Sequence, residues 1–293
     1  KLLYRDHVPR RVSIPTYPFA RDRYWLPQAE DPAGKEIYKA VGRLHPLIDK
    51  NTSDLEEQRY TLSVTGKEFY LSDHVIGGKK IFPGAAYIEM AFAAGKLACR
   101  QKVSKLSNIV WTSPIAVDEA PNARARDINI SLNPAGKDVE FAVWTENEDG
   151  ERTVHAYGKL SFAADNRQVY EPERVDIESV KNRCKNHMSS KDCYRNFLGG
   201  GFRYGPSFRP VTELYYDEEK SLARLELPLC LKQEFSEFIL HPSLMDGAFQ
   251  AVLGLAIDEE LAYVPFCMGE VEVIKPFGRI CYALAARSRD RQD

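Results

Sequence analysis

Across its 293 residues the chain has no apolar run approaching the roughly 20 residues that a membrane-spanning helix requires. It has almost no charge surplus: 40 Lys and Arg against 42 Asp and Glu leave a formal net charge of −2. A general nucleic-acid binder draws its affinity from a basic excess, so that class is set aside. Cysteines are few and scattered. Cys99, Cys184, Cys193, Cys230, Cys267 and Cys281 form no CxxC pair, a spacing that suits reduced cytosolic thiols rather than a disulfide framework. Cys184, His187 and Cys193 lie close together, but a structural zinc site usually takes four ligands, so no metal is expected. The opening KLLYRDHVPRR lacks the apolar core of a signal peptide, and a cytoplasmic location is expected. Several enzyme signatures are missing too. No GxGxxG fingerprint follows a strand, and neither a Walker loop nor a GxSxG elbow is present. Gly199-Gly200-Gly201 lacks the helix and lysine of a phosphate loop.

What is present is a chain long enough for one large domain or two smaller ones, each with a real core. Its 44% hydrophobic content is normal, so nothing marks the whole as disordered. The first thirty or so residues read as an arm. Pro9, Pro15, Pro18 and Pro27 interrupt any helix, while Tyr17, Phe19, Tyr24 and Trp25 want a surface to lie on. From Gln58 the pattern turns to β, with QRYTLSV and then EFYLSD. Gly84 to Cys99, GAAYIEMAFAAGKLAC, is apolar on nearly all sides, which predicts a buried helix. Strand patterns follow at SNIVWTSPIAV, DINISLN, DVEFAVWTE and TVHAYGKLSFA, separated by turns at Asn133–Gly136 and Asp149-Gly150. Residues 164–182 are polar and read as a linker. Beyond them come strands at VTELYYD and LARLELP, a second apolar helix from about Ser243, and strand-like AYVPFCMGEVEVI and RICYALAAR. Each apolar helix follows a histidine and a proline, His74…Pro83 in one case and His241-Pro242 in the other. This weak symmetry suggests a duplicated α+β unit.

Chemistry can sit at three places. His74 precedes the first helix, with Gly77, Gly78 and Gly84 free to turn and Pro83 suited to a helix start. Imidazole is the usual general base near neutral pH, although taken alone the segment fits a histidine that only hydrogen-bonds the bend slightly better. Free N–H groups near Gly84 would suit a developing oxyanion. Asp246 and Gln250, four apart, share one helix face, so the amide can orient the carboxyl group. Helix capping is the plainer role for such an acid. If buried, Asp246 would hold its proton and could donate it. A base at one helix mouth and an acid at the other fit proton removal α to a carbonyl with loss of a β-hydroxyl. Third, GGGFRYGPSF, Gly199–Phe208, reads as a tight exposed loop presenting Tyr204. Val264-Pro265-Phe266 reads as an edge strand or strand start.

Together these pieces resemble the dehydratase domain of modular polyketide synthases, the trans-acyltransferase type included. HxxxGxxxxP stands as His74, Gly78 and Pro83, and DxxxQ as Asp246 and Gln250 within HPSLMDGAFQ. YGPxF stands as Tyr204, Gly205, Pro206 and Phe208, and YVPF at Tyr263–Phe266 looks like the later LPF-type element. IPTYPFARDRYW, Ile14 to Trp25, looks like the linker after a ketosynthase or acyltransferase region, so the chain would be a piece of a larger polypeptide. The resemblance implies a double hotdog: linker 1–37, N-terminal hotdog 38–165, inter-hotdog linker 166–182, and C-terminal hotdog 183–293, apparently short at its end. It implies a β-hydroxyacyl substrate on the phosphopantetheine arm of an acyl carrier protein, ketosynthase and ketoreductase neighbours, a homodimer, and no dissociable cofactor. By analogy His74 takes the α-proton and Asp246 protonates the leaving hydroxyl. Gln250 orients Asp246, Tyr204 hydrogen-bonds the hydroxyl, and N–H groups near Gly84 polarise the thioester carbonyl. Double-bond isomerisation, pyran-type cyclisation and a non-catalytic docking module are the alternatives.

Overall fold

The structure is a computed structural model that describes residues 43–99, 101–117, 125–162, 174–256 and 264–288. These all belong to one unit, Gly42–Asp293, and the expected linker 1–37 lies outside them. The first half contributes β1 (Lys50–Asn51), β2 (Gln58–Val64), α1 (Phe69–Ser72), β3 (His74–Ile76), β4 (Lys79–Ile81) and α2 (Gly84–Cys99). It continues with β5 (Val103–Trp111), β6 (Ala116–Val117), β7 (Arg126–Ala135), β8 (Asp138–Glu146) and β9 (Arg152–Phe162). The second half contributes α3 (Ile177–Arg183), β10 (Asn186–Ser189), α4 (Ser190–Gly199), β11 (Phe202–Tyr204), β12 (Val211–Tyr216) and β13 (Lys220–Glu226). Next come α5 (Pro242–Gln250), β14 (Cys267–Glu272) and β15 (Ile280–Ala286).

Among the described residues all strand pairs are antiparallel, and they build three sheets. The seven-stranded sheet runs β1-β2-β7-β8-β9-β5-β14 and carries α2 against it. A four-stranded sheet, β10-β12-β13-β15, carries α5. The third, β11-β3-β4-β6, joins short strands from both halves. Helix α2 has the predicted bounds, and Ala85 through Gly95 are all buried. Its small residues allow that: Ala and Gly let sheet and helix approach from several sides at little entropic cost. Glu89 is the one acid within that stretch and is fully buried. Its carboxylate accepts from Ile239 N at 2.8 Å and Leu240 N at 2.7 Å, and His45 Nε2 lies 3.2 Å away. The first helix is thereby tied to the segment leading into the second.

Several expectations are corrected. EFYLSD is not a strand: Phe69–Ser72 forms one helical turn, because Phe69, Tyr70 and Leu71 face the core together rather than alternately. The polar linker 164–182 ends in α3, started by Asp176, whose side chain accepts from Ser179 N. The second apolar helix stops at Gln250 and tightens into a 3-10 turn over Ala251–Leu255. Strand β14, from the second half, pairs with β5 of the first. Gly199–Phe208 is no exposed loop. Phe202, Tyr204 and Phe208 are buried, and β11 pairs with β3. Phe197, Phe202 and Tyr204 pack ring against ring, and that apolar area outweighs the flexibility of the glycines before it. Among the described residues no helix is long and apolar enough to cross a membrane.

His241 caps α5: its Nδ1 accepts from Ser243 N at 3.2 Å. It is 1% exposed and packs against Phe69, Phe235 and Phe238, so burial holds its pKa down at about 4. The unfolded chain therefore takes up this proton first. Stability from neutral His241 is present above about pH 6.5 and is lost as pH falls toward 4. The full contribution is on the order of 3 kcal/mol. His241→Asn, which keeps a capping acceptor, should lose less melting temperature than the parent between pH 7 and pH 4. Equal acid sensitivity in the two proteins would refute this.

Candidate active site

His74 stands on β3 directly opposite Tyr204 on β11. The hairpin from β3 to β4 turns on Gly77 and Gly78, with φ of +56° and +80°, a conformation that side-chain-bearing residues rarely adopt. Gly78 thus shapes the turn and is exposed there, while the histidine lies inside. His74 Nδ1 is 2.7 Å from Ile81 O. A carbonyl oxygen only accepts, so Nδ1 carries a proton, and in the neutral ring Nε2 holds the lone pair. Nε2 faces Asp246 Oδ1 at 3.8 Å, too far for a hydrogen bond.

Asp246 lies in the second turn of α5, where His241 already does the capping. Its side chain points inward. Gln250 Nε2 donates to Asp246 Oδ2 at 2.8 Å and to Phe208 O at 3.1 Å. Gln250 Oε1 accepts from Tyr194 OH at 3.0 Å, and that hydroxyl accepts from Val211 N at 3.0 Å. Burial raises the Asp246 pKa, opposed by the nearby His74 and the Gln250 bond. Tyr204 packs 5.6 Å from the His74 ring, centroid to centroid. Burial, then the charges of Asp246 and Tyr194, raise its pKa well above 10, so it remains a phenol and a donor.

These groups share one cavity of about 500 Å³, lined by His74, Tyr204, Asp246 and Gln250 with Gly84 and Trp111 among the rest. Val264, Pro265 and Phe266 form part of its wall, just ahead of β14; Tyr263 is outside the described residues. Pro83 is buried immediately before α2, and Ala86 N donates to its carbonyl at 2.9 Å. Gly84 lies against Pro265, whose Cγ would be 2.9 Å from an added Cβ. Every site residue expected from the sequence except Gly78 and Pro83 therefore lines the same space.

Two positioning residues were missed. Asp73 Oδ2 accepts from Ser207 N at 2.7 Å, and Asp73 O accepts from Gly205 N at 2.8 Å. A Cβ at Gly205 would fall 2.2 Å from Asp73 Oδ1, so the turn after Tyr204 needs glycine. No local pattern announces a contact across 134 residues. Tyr194 did carry a signal. Ser189 stands three residues before Asp192, and its hydroxyl accepts from Asp192 N at 3.3 Å, a helix start legible from residue type.

The chemistry this arrangement can perform is proton transfer on one bound molecule, to an imidazole nitrogen and from a carboxyl group whose pKa burial raises. Known proteins point the same way. Residues 45–146 match a family model described as polyketide synthase dehydratase domain, and residues 172–292 match one described as polyketide synthase dehydratase N-terminal domain. The chain is 38% identical to polyketide synthase PksN of Bacillus subtilis over 288 residues, covering 94% of this chain and 5% of PksN. It is 35% identical to PksL of the same organism, covering 99% of this chain and 7% of PksL. The chain thus spans a small fraction of these relatives. Among solved structures it is similar to a trans-AT PKS dehydratase domain from Brevibacillus brevis: TM-score 0.79, 32% identity, 86% of this chain and 89% of that one. The CurF dehydratase domain of curacin polyketide synthase shares the fold, with TM-score 0.76 at 22% identity over 84% of this chain and 89% of that one.

Tyr194→Phe would strand Val211 N–H and Gln250 Oε1 without partners in the interior. A loss of about 1–3 kcal/mol in chemical denaturation is expected. Turnover should fall as well, because Gln250 then holds Asp246 less firmly. Unchanged stability and turnover would show that the Tyr194 hydroxyl is idle.

Proposed function

We propose, for a chain that belongs to the polyketide synthase dehydratase family, that its two-residue site eliminates water from a β-hydroxyacyl thioester. The family's double hotdog provides the frame, and the product is an α,β-unsaturated acyl thioester. His74 Nε2 removes the α-proton. The electrons of that C–H bond form the carbon–carbon double bond, and the β C–O bond breaks as Asp246 passes its proton to the departing hydroxyl. Water leaves. His74 now holds a proton and Asp246 a negative charge, so transfer between them resets the site. Elimination is redox-neutral, and these two side chains handle both protons.

The observation that carries this reading is His74 Nε2 facing, at 3.8 Å in one apolar cavity, a carboxyl group whose pKa burial raises. Gln250 occupies Oδ2, which leaves Oδ1 for the transferable proton. Tyr204 supplies a hydrogen bond to the hydroxyl, and N–H groups at the start of α2 polarise the carbonyl. An isomerase needs the base alone, so the Tyr194–Gln250–Asp246 chain favours elimination. On this reading the substrate arrives on an acyl carrier protein within a cytoplasmic synthase that includes ketosynthase and ketoreductase domains, and the synthase is a homodimer.

Incubation with a β-hydroxyacyl carrier protein should remove one water, read by intact-protein mass spectrometry. His74→Ala and Asp246→Asn should each cut the rate by about 10²- to 10⁴-fold, the usual range for general acid–base groups. Near-normal turnover in either variant would sink the assignment. The raised Asp246 pKa also fixes a direction in pH. The acid works only while protonated, so kcat/KM should decline as pH rises through that pKa. A rate that climbs without limit toward alkaline pH would argue against Asp246 as the acid.

A further inference from the structure

The elimination above leaves a second row of side chains in the cavity without a role. On the ladder of β3 with β11, Tyr204 stands opposite His74, and two residues along Phe202 stands opposite Ile76. Residues two apart on a strand share one face, and all four of these line the cavity. At about 3.3 Å per residue, the second row lies about 6.6 Å beyond the first. Phe197, from α4, also lines the cavity and meets Phe202 edge-on with ring centroids 6.2 Å apart. Phe202 is buried, while Ile76 and Phe197 are half-buried. None of these three side chains can donate or accept a hydrogen bond.

The roles given to His74 and Tyr204 place this row on the substrate. His74 takes the α-proton and Tyr204 bonds the β-hydroxyl, so the carbons past the β-carbon set out from Tyr204 on the side away from His74. Among the described residues the rings that meet His74 are Tyr204 and Phe208. Those of Phe197 and Phe202 meet Tyr204 instead, with centroids 5.2 Å and 6.0 Å away. The thioester side calls for different surroundings. A pantetheine arm carries amides, and an amide placed against hydrocarbon loses its hydrogen-bond partners. Thr112 and Ser113, which follow β5, bring hydroxyls to the cavity wall.

We infer that Ile76, Phe197 and Phe202 form the subsite for the acyl chain beyond the β-carbon, and that it selects a hydrocarbon chain over one with a hydroxyl at the δ-carbon. The inference rests on the dehydratase reading. A δ-hydroxyl brought against these side chains gives up its water and gains no partner, whereas a methyl group of the same size gains contact. Tyr204 is no substitute partner, because it serves the β-hydroxyl. The substrate class that follows is a β-hydroxyacyl thioester whose next carbons carry no oxygen.

Two substrates that differ by one group test this on the intact chain. The 3-hydroxy-5-methylhexanoyl and 3,5-dihydroxyhexanoyl carrier proteins compete in one tube, and water loss from each is read by mass spectrometry. The methyl substrate should win by about 10- to 100-fold in kcat/KM, the range in which an apolar pocket rejects a hydroxyl of matching size. Ile76→Thr and Ile76→Val, alike in shape, then differ by one hydroxyl in the row. The threonine variant should narrow the preference at least about threefold relative to the valine variant, since a partner for the δ-hydroxyl returns part of the loss. A ratio taken within one tube does not depend on how much of the protein is folded. A preference under about twofold in the parent would overturn the inference, and so would equal ratios in the two variants. If the parent removes water from neither substrate, the dehydratase reading itself fails and this inference goes with it.

Discussion

Three residues of β3 paired with three of β11 hold the site together. This short ladder brings His74 and Tyr204 opposite each other from segments 130 positions apart in the chain. So few backbone hydrogen bonds would not fix a register unaided, since isolated strand pairs are marginal in water. Asp73 supplies the rest. Its carbonyl and carboxylate together take the N–H groups of Gly205 and Ser207, locking the turn that follows Tyr204. At the other end of the ladder Gly77 N donates to Gly201 O at 3.0 Å. A slip of one residue would turn His74 away from the cavity and leave these buried polar groups unmatched. Both penalties oppose the slip.

The two central helices are coupled by a different device. Glu89, at the heart of α2, accepts two backbone N–H bonds and stands within reach of His45. His45 Nδ1 accepts from Leu47 N, so Nε2 carries the hydrogen that points to Glu89. Burying a carboxylate costs several kcal/mol, and charge-assisted bonds of roughly 1.5–3 kcal/mol each return much of that. The net stabilisation is modest. What the arrangement achieves is position: the chain entering α5 is held against α2, so Asp246 reaches the cavity at a set depth. An apolar residue at 89 would leave the Ile239 and Leu240 N–H groups without their acceptor and release that hold.

How much of this was legible depended on whether the determining contact was local. Helix α2 could be read end to end, because a run of small and apolar residues has only one way to be buried. Asp246 and Gln250 could be paired by their spacing of four, and the amide does hold the carboxyl group. The linking of His74 to Asp246 came from a family resemblance and a weak internal symmetry, not from any local rule. The Asp73 clamp and the pairing of β14 with β5 were invisible, since partners that far apart leave no periodic trace. Gly199–Phe208 was misread for another reason. Its glycines suggested exposure, but the aromatics between them bury more area than the glycines' freedom can offset.

The separation of 3.8 Å between His74 and Asp246 decides what kind of pair they form. At hydrogen-bonding distance, attraction would favour a proton on the imidazole and a charged carboxylate, and the acid would be spent before substrate arrived. Burial works against that outcome by penalising charge on Asp246. For Asp246 burial is the largest influence on its pKa, and the pull of His74 comes second. The proposed elimination calls for a neutral resting pair, with the proton on the carboxyl group and the lone pair on nitrogen, and the raised Asp246 pKa is in the direction that favours it. On the dehydratase reading, elimination converts that pair into an ion pair in the same apolar space. The penalty that kept the groups neutral then drives the proton from His74 back to Asp246, so the burial that arms the site also restores it.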